Sequence, residues 1–120
     1  MGKIKREIKK FLERVEEKTD VPFSISEQSD GTWLVEGEYW SDLGEDIIIP
    51  LVIEELTLDE IVHAMYEFEE NFDAEEHATE LFNLRGAHGT PSSLRALLND
   101  ADEQQAQFIK IYEAMLALLP

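Results

Sequence analysis

Glu60 and His63, three residues apart, come nearest in this 120-residue chain to a pair with catalytic spacing. Helical bundles that bind two iron ions use such a Glu-x-x-His pair twice, together with two further glutamates. Here the pair occurs once, because alanine lies three residues before His77, and among 27 acidic residues one such coincidence is expected by chance. We predict no metal and no other cofactor. A small metal-dependent enzyme that uses Glu60, His63 and His77 is kept as an alternative.

Three other groups of residues have the types, but not the spacing, of a functional site. Asp42, Glu45 and Asp46 flank a glycine without the EF-hand spacing of a calcium loop. The loop 85–89 combines an arginine, a histidine and two glycines before a helix start, as anion sites do, but has no Walker or dinucleotide spacing. The serines at 92–93 suit the first turn of a helix. With no cysteine and no Gly-x-Ser-x-Gly motif, we predict that the protein is not an enzyme.

Three aromatic residues close together in the sequence could form a platform for stacking bases. They are Trp33, Tyr39 and Trp40, and Glu36 and Glu38 lie between them. Carboxylates at these positions would repel the phosphates of a nucleic acid. A place in the core or a contact with another protein is therefore preferred for these rings.

The net charge of −17 is concentrated in the middle of the chain. Residues 1–18 have a net charge of +3, residues 19–84 contain nineteen acids and no lysine or arginine, and residues 85–120 have a net charge of −1. Repulsion among so many carboxylates lowers stability, so the charge has either a function or the ordinary role of keeping the protein dissolved.

A helix predicted for residues 57–72 must position much of this charge. Thr57 and Glu60 have the spacing of a capping box, which satisfies backbone donors at a helix start. An apolar stripe follows, formed by Leu58, Ile61, Val62, Met65, Phe68 and Phe72. The opposite face carries Asp59, His63, Glu67 and Glu70. Carboxylates one turn apart lie about 6 Å from each other, which is comparable to the phosphate spacing along a nucleic-acid strand.

This spacing favours a non-enzymatic inhibitor that mimics nucleic acid. The expected partner is a basic nucleic-acid-binding protein, such as a bacterial defence nuclease, whose basic groove the acidic surface blocks. We expect no direct binding to nucleic acid and none to membranes. The predicted partner-binding residues are Asp59, Glu67, Glu70, Glu36, Glu38 and Trp40.

The sequence predicts an α+β fold with an N-terminal helix, a three-stranded antiparallel sheet and three to four C-terminal helices. Residues 3–18 have a helical apolar stripe, and the runs that start at residues 23, 33 and 46 have strand patterns. Asp30–Gly31 marks a hairpin turn, and Pro50 assigns the third strand to an edge. Residues 91–119 form one helix or two, because Asp100 followed by Glu103 has the pattern of a helix start.

The whole chain, residues 1–120, is predicted to be one α+β domain in the cytoplasm, because it has no cysteine, no secretory signal and no apolar run that could span a bilayer. The apolar residues of 108–119 cover more than one stripe of the last helix. An accessory protein that forms a homodimer through this helix is therefore a further alternative.

The segment 72–103, FDAEEHATELFNLRGAHGTPSSLRALLNDADE, resembles small uncharacterised acidic proteins of phages and mobile elements in Gram-positive bacteria. The matching residues are Phe72, Asp73, Glu76, His77, Gly89, Pro91, Ser92, Leu94, Leu97, Leu98, Asp100 and Ala101. Such elements often carry small acidic anti-restriction or anti-CRISPR proteins. The resemblance therefore implies an inhibitor of bacterial defence, and it transfers no catalytic or binding residue.

Overall fold

The computed structural model describes residues 6–41, 46–84 and 91–120, and the predicted α+β class and order of elements are confirmed within these ranges. The elements are α1 Arg6–Thr19, β1 Phe23–Glu27, β2 Trp33–Trp40, β3 Asp46–Ile53, α2 Leu58–Asn71, α3 Ala74–Leu84 and α4 Pro91–Leu118. Three of the described helices, α2, α3 and α4, follow the sheet, which is the lower of the two predicted numbers. None of the helices described is both long and apolar enough to cross a membrane.

The three strands form an antiparallel meander with β2 in the centre. The predicted turn joins β1 to β2: Gly31 has a φ of 88°, and the Asp30 carboxylate accepts a 3.0 Å hydrogen bond from the Thr32 N–H. Pro50 lies in β3, which is an edge strand as predicted, because proline has no N–H to donate to a sheet ladder.

Successive side chains of each strand point to opposite faces of the sheet. The inner face packs against helices, and none of the described helices covers the outer face. On the inner face, Gly37 leaves room for the ring of Phe23, because a Cβ at Gly37 would lie 2.7 Å from a ring carbon. The buried inner-face residues are Val35, Gly37, Ile49, Leu51 and Ile53. The outer face is formed by the alternate residues of β2 and β3, which are Leu34, Glu36, Glu38, Trp40, Asp46, Ile48, Pro50 and Val52.

The core lies between the inner face of the sheet and helices α1, α2 and α4. Phe108 of α4 is fully buried and makes edge-to-face contacts with Tyr39, Phe68 and Phe72, at centroid distances of 6.3, 4.9 and 5.0 Å. These contacts join the sheet, α2 and the α2–α3 connection to one side chain. A smaller cluster packs α3 against the first half of α4 through Ala74, Ala78, Leu97 and Ala101.

Residues 91–118 form one helix of 28 residues, which decides between the two alternatives predicted for this segment. Asp100 does not begin a second helix. Its Oδ2 accepts a 2.9 Å hydrogen bond from Gln104 Nε2 one turn later, and both side chains are buried. The helix continues because one buried stripe runs through both halves, from Leu97 and Ala101 to Gln104, Phe108, Ile111 and Met115.

Candidate functional site

Side-chain caps start both of the acidic helices, α2 and α3. Thr57 Oγ1 accepts a 3.1 Å hydrogen bond from the Glu60 N–H, as the capping pattern predicts. In a capping box the Glu60 side chain would accept from the Thr57 N–H. Here the Thr57 N–H donates instead to the backbone carbonyl oxygen of Glu55 at 3.0 Å. Asp73 Oδ1 accepts from the Glu76 N–H at 3.0 Å. The two caps fix where each helix begins and therefore which carboxylates face solvent.

The exposed face of α2 carries the three acids predicted for this helix. Asp59, Glu67 and Glu70 are all exposed, whereas Ile61 and Met65 are buried in the core. His63 Nε2 lies 2.8 Å from Glu67 Oε1, and both side chains are exposed. This is the one ion pair within 4 Å that involves an α2 carboxylate in the described part of the chain, and it exists only when His63 is protonated. The face is therefore a row of carboxylates without permanent positive partners.

Helix α3 extends this acidic surface beyond the residues that we predicted. Besides the cap residue Asp73, three of its side chains are exposed carboxylates: Glu75, Glu76 and Glu80. Glu70 of α2 lines the same surface depression as Asp73, Glu75 and Glu76, so the charges of the two helices meet there. The sequence contained the signal for these residues, since the same capping pattern that starts α2 recurs at Asp73.

The outer face of the sheet carries the other three predicted residues, Glu36, Glu38 and Trp40. Glu36 is half-buried, Glu38 is exposed and the Trp40 side chain is 72% exposed. Asp46 on β3 is the diagonal neighbour of Glu38 on β2, because Asp46 pairs with Trp40 and Glu38 pairs with Ile48. The pKa of Glu38 is raised, first by a hydrogen bond with Asp46, then by the charge of Asp46, with smaller contributions from partial desolvation and from the charge of Glu36.

The six predicted residues do not form one surface. Glu36 and Glu38 lie on the outer face of β2, whereas α2 packs against β3 on the inner side of the sheet. Trp40 shares their outward position on β2 but, at the end of the strand, also borders a pocket against α4. The acids of α2 therefore lie in the helical layer, on the opposite side of the sheet from Glu36 and Glu38. Sequence spacing could not show this separation, because it depends on which face of the sheet the helices cover.

The proposed aromatic platform is also divided. Trp33 and Tyr39 point to the inner face and pack against the core, whereas Trp40 points to the outer face. A place in the core, one of the two preferred interpretations, is thus confirmed for Trp33 and Tyr39. Trp40 is left as an exposed ring beside acidic residues.

A pocket of about 410 Å³ lies where the end of α1, the end of β2 and the middle of α4 meet. Asp100 and Tyr39 line it, and Asp100 is only 4% exposed. Asp100 Oδ1 and the Tyr39 hydroxyl have no hydrogen-bond partner among the residues that the structure describes. Burial and the charge of Asp100 raise the pKa of Tyr39, so the phenol is neutral at physiological pH. The signal for this site was Asp100 and Gln104, two polar residues on the buried stripe of α4.

The residues of the metal-enzyme alternative do not form a donor set. His63 pairs with Glu67, and the ring of His77 packs against that of Phe72, with 5.3 Å between the ring centroids. Within 6–41, 46–84 and 91–120, no three histidine or carboxylate side chains are grouped so that they could hold a metal ion. Of the other candidate sites, residues 42–45 of the calcium loop and the anion loop 85–89 lie outside the described residues.

Comparison with known proteins gives no match: no family model fits the sequence, and no curated protein or solved structure is significantly similar to it.

Proposed function

We propose that this protein is a non-enzymatic inhibitor that binds a basic nucleic-acid-binding protein by mimicking nucleic acid. The partner class that fits is a bacterial defence nuclease, of the CRISPR or restriction type, and the site of action is then the cytoplasm.

The observation that carries the proposal is the exposed acidic surface of α2 and α3. Its eight exposed carboxylates belong to Asp59, Glu60, Glu67, Glu70, Asp73, Glu75, Glu76 and Glu80. No lysine or arginine occurs anywhere in residues 19–84 to neutralise them locally. A folded protein gains no stability from such a surface, because like charges repel and disfavour the compact state. Binding to a basic groove supplies a reason for the arrangement.

The charge density of the whole molecule is also close to that of nucleic acid. The molecule measures 50 × 31 × 22 Å and has a net charge of −17, which gives about one negative charge per 3 Å of its long dimension. A single nucleic-acid strand has one phosphate per about 3.4 Å of helix axis. A molecule with this much negative charge, concentrated in residues 19–84, would be attracted to basic channels and associate with them faster.

The homodimer alternative has one supporting observation. In α4, Phe108, Ile111 and Met115 are buried in the core, but Ile109 and Leu116, seven residues apart, are exposed. Two turns of helix separate them, so they lie on one outward stripe. A dilute-solution mass measurement tests this alternative: a dimer that Leu116→Asp dissociates supports it, and a monomer in the parent protein rejects it.

The inhibitor proposal is tested by DNA cleavage with purified defence nucleases of the restriction and CRISPR types. We expect stoichiometric inhibition of at least one nuclease class, relieved by excess non-cleavable duplex DNA, which competes for the same groove. Direct titration of the protein with DNA should give no binding. If no nuclease is inhibited, or if inhibition is insensitive to competitor DNA, the proposal is wrong.

A further inference from the structure

We infer that the outer face of the sheet is a second contact surface, which binds an extended, arginine-containing segment of a protein partner. This surface is formed by the outward residues of β2 and β3 and lies opposite the helical layer. It deepens the proposed function by naming a site and a side-chain type, and its link to inhibition rests on that proposed function.

The first argument is the pairing across the two strands. Three consecutive outward pairs each combine one acidic and one apolar residue: Glu36 with Pro50, Glu38 with Ile48, and Asp46 with Trp40. The next outward pair, Leu34 with Val52, is apolar on both strands. Exposed apolar side chains and carboxylates therefore alternate over the same area.

The second argument is exposure. Trp40, Ile48 and Val52 are among the large apolar side chains that the chain leaves exposed. The outward residues of β1 are small: Ser24 pairs with Glu36 of β2, and Ser26 pairs with Leu34. A shallow depression of about 160 Å³ is lined by residues that include Ser24, Glu36, Glu38 and Ile48. An incoming side chain can therefore reach a carboxylate and an apolar surface together.

Charge restricts what can cover this face. A second copy of the chain in a twofold dimer would place the same patch against itself, and Glu36, Glu38 and Asp46 would then repel their equivalents. Nucleic acids and anionic lipid surfaces are repelled for the same reason. A cationic protein segment is the occupant whose charge is complementary to this face.

Arginine fits the surface better than lysine. Its aliphatic stem covers apolar side chains such as Ile48 while the guanidinium makes planar hydrogen bonds to a carboxylate, and it stacks on aromatic faces such as that of Trp40. The outward pairs recur every two residues, about 6.8 Å along the strands. An extended segment with arginine at every second position has the same period, so successive arginines meet successive acidic residues.

The test is a titration of the ¹⁵N-labelled full chain with a blocked peptide of alternating arginine and valine, followed by NMR. We expect saturable shifts at the outward residues of β2 and β3 and at the Trp40 indole N–H. A lysine–valine peptide of equal charge should bind more weakly. Trp40→Ala leaves the net charge unchanged and should weaken binding of the arginine peptide about tenfold, as loss of an interface anchor does.

Leu84→Ala is the matched control, because it removes an exposed apolar side chain of α3 without changing the charge. It should bind the arginine peptide as the parent does. Val52→Thr provides a second, milder change on the outer face and should weaken binding less than Trp40→Ala. Folding of each variant is checked from its dispersed amide spectrum before titration.

Shifts that spread over α2 and α3 and that Trp40→Ala leaves unchanged would overturn the inference, because they indicate general attraction to negative charge. Equal binding of the arginine and lysine peptides would also overturn it. Neither result affects the inhibitor proposal, which is tested on nuclease cleavage. Conversely, peptide binding at the outer face without inhibition of any nuclease supports this contact surface and rejects the proposed function.

Discussion

Glu38 and Asp46 are diagonal neighbours on the outer face of the sheet, and a hydrogen bond between their carboxyl groups is the largest cause of the raised pKa of Glu38. Two carboxylates can share a hydrogen bond only when one of them holds a proton. The folded chain therefore favours protonation of Glu38 more than the unfolded chain does, and the raised pKa of Glu38 expresses this preference.

The stability of the protein should therefore depend on pH through Glu38. A raised folded pKa adds to the free energy of unfolding below the unfolded pKa of about 4.3, and this contribution is lost as pH rises through the folded value. We expect the melting temperature of the parent protein to fall from about pH 4 to pH 6. Glu38→Gln should flatten this dependence and melt at or above the parent at pH 7.

Glu80→Gln, an exposed change of the same charge on α3, is the control for Glu38→Gln. The measurement stays above pH 4 because Asp30 acts with the opposite sign. Hydrogen bonds from Thr32 lower the pKa of Asp30, so its contribution is lost as pH falls. Parallel melting curves for the parent and Glu38→Gln across this range would contradict the account of the outer face.

The aromatic cluster around Phe108 should contribute much of the free energy of unfolding. We expect Phe108→Ala to lower the free energy of unfolding by about 3–5 kcal/mol, because it removes a buried ring and leaves a cavity between the sheet and α2. Ile109→Ala, at the next, exposed position of α4, should change it by only about 0.5 kcal/mol. Urea unfolding measures both, and similar costs for the two variants would contradict the described orientation of α4.

The hydrogen bond between Asp100 and Gln104 gives a third prediction. Gln104→Leu should lower the free energy of unfolding by about 1–3 kcal/mol, because the buried Asp100 carboxylate loses the partner of its Oδ2. The double change Asp100→Leu with Gln104→Leu should recover most of this loss, since it removes the unpaired acceptor as well. A double variant less stable than Gln104→Leu would show that Asp100 has a stabilising partner of its own.

The sequence was sufficient for the elements that local patterns define. The stripe from Leu58 to Phe72 predicted α2, Thr57 predicted its start, and Asp30–Gly31 predicted the first hairpin. Pro50 identified an edge strand because its missing N–H is a local property. These features depend on residues within a few positions of each other.

The remaining features depend on contacts between distant residues. Asp100 has the pattern of a helix start, yet packing of α3 and the core along one stripe of α4 keeps that helix continuous. Strand alternation separates Trp33 from Trp40, but only the position of the helices shows which of the two is exposed. For the same reason, spacing alone placed the acids of α2 and of β2 in one set, although the sheet lies between them.

The central claim concerns the acids of α2, and charge-neutral substitution tests it most directly. The variant combines Asp59→Asn, Glu67→Gln and Glu70→Gln, all at exposed positions, and should fold and melt at or above the parent temperature because repulsion decreases. The matched control neutralises three exposed acids of α1, Glu13, Glu16 and Glu17, which lie in the segment of net positive charge.

The measurement is the rate and equilibrium of binding to an inhibited nuclease at two salt concentrations. We predict that the α2 variant loses inhibition, mainly through slower association and a smaller salt dependence, as removal of steering charges requires. The α1 control should inhibit as the parent does. If the α2 variant inhibits as well as the parent, with the same salt dependence, the protein does not act as a nucleic-acid mimic.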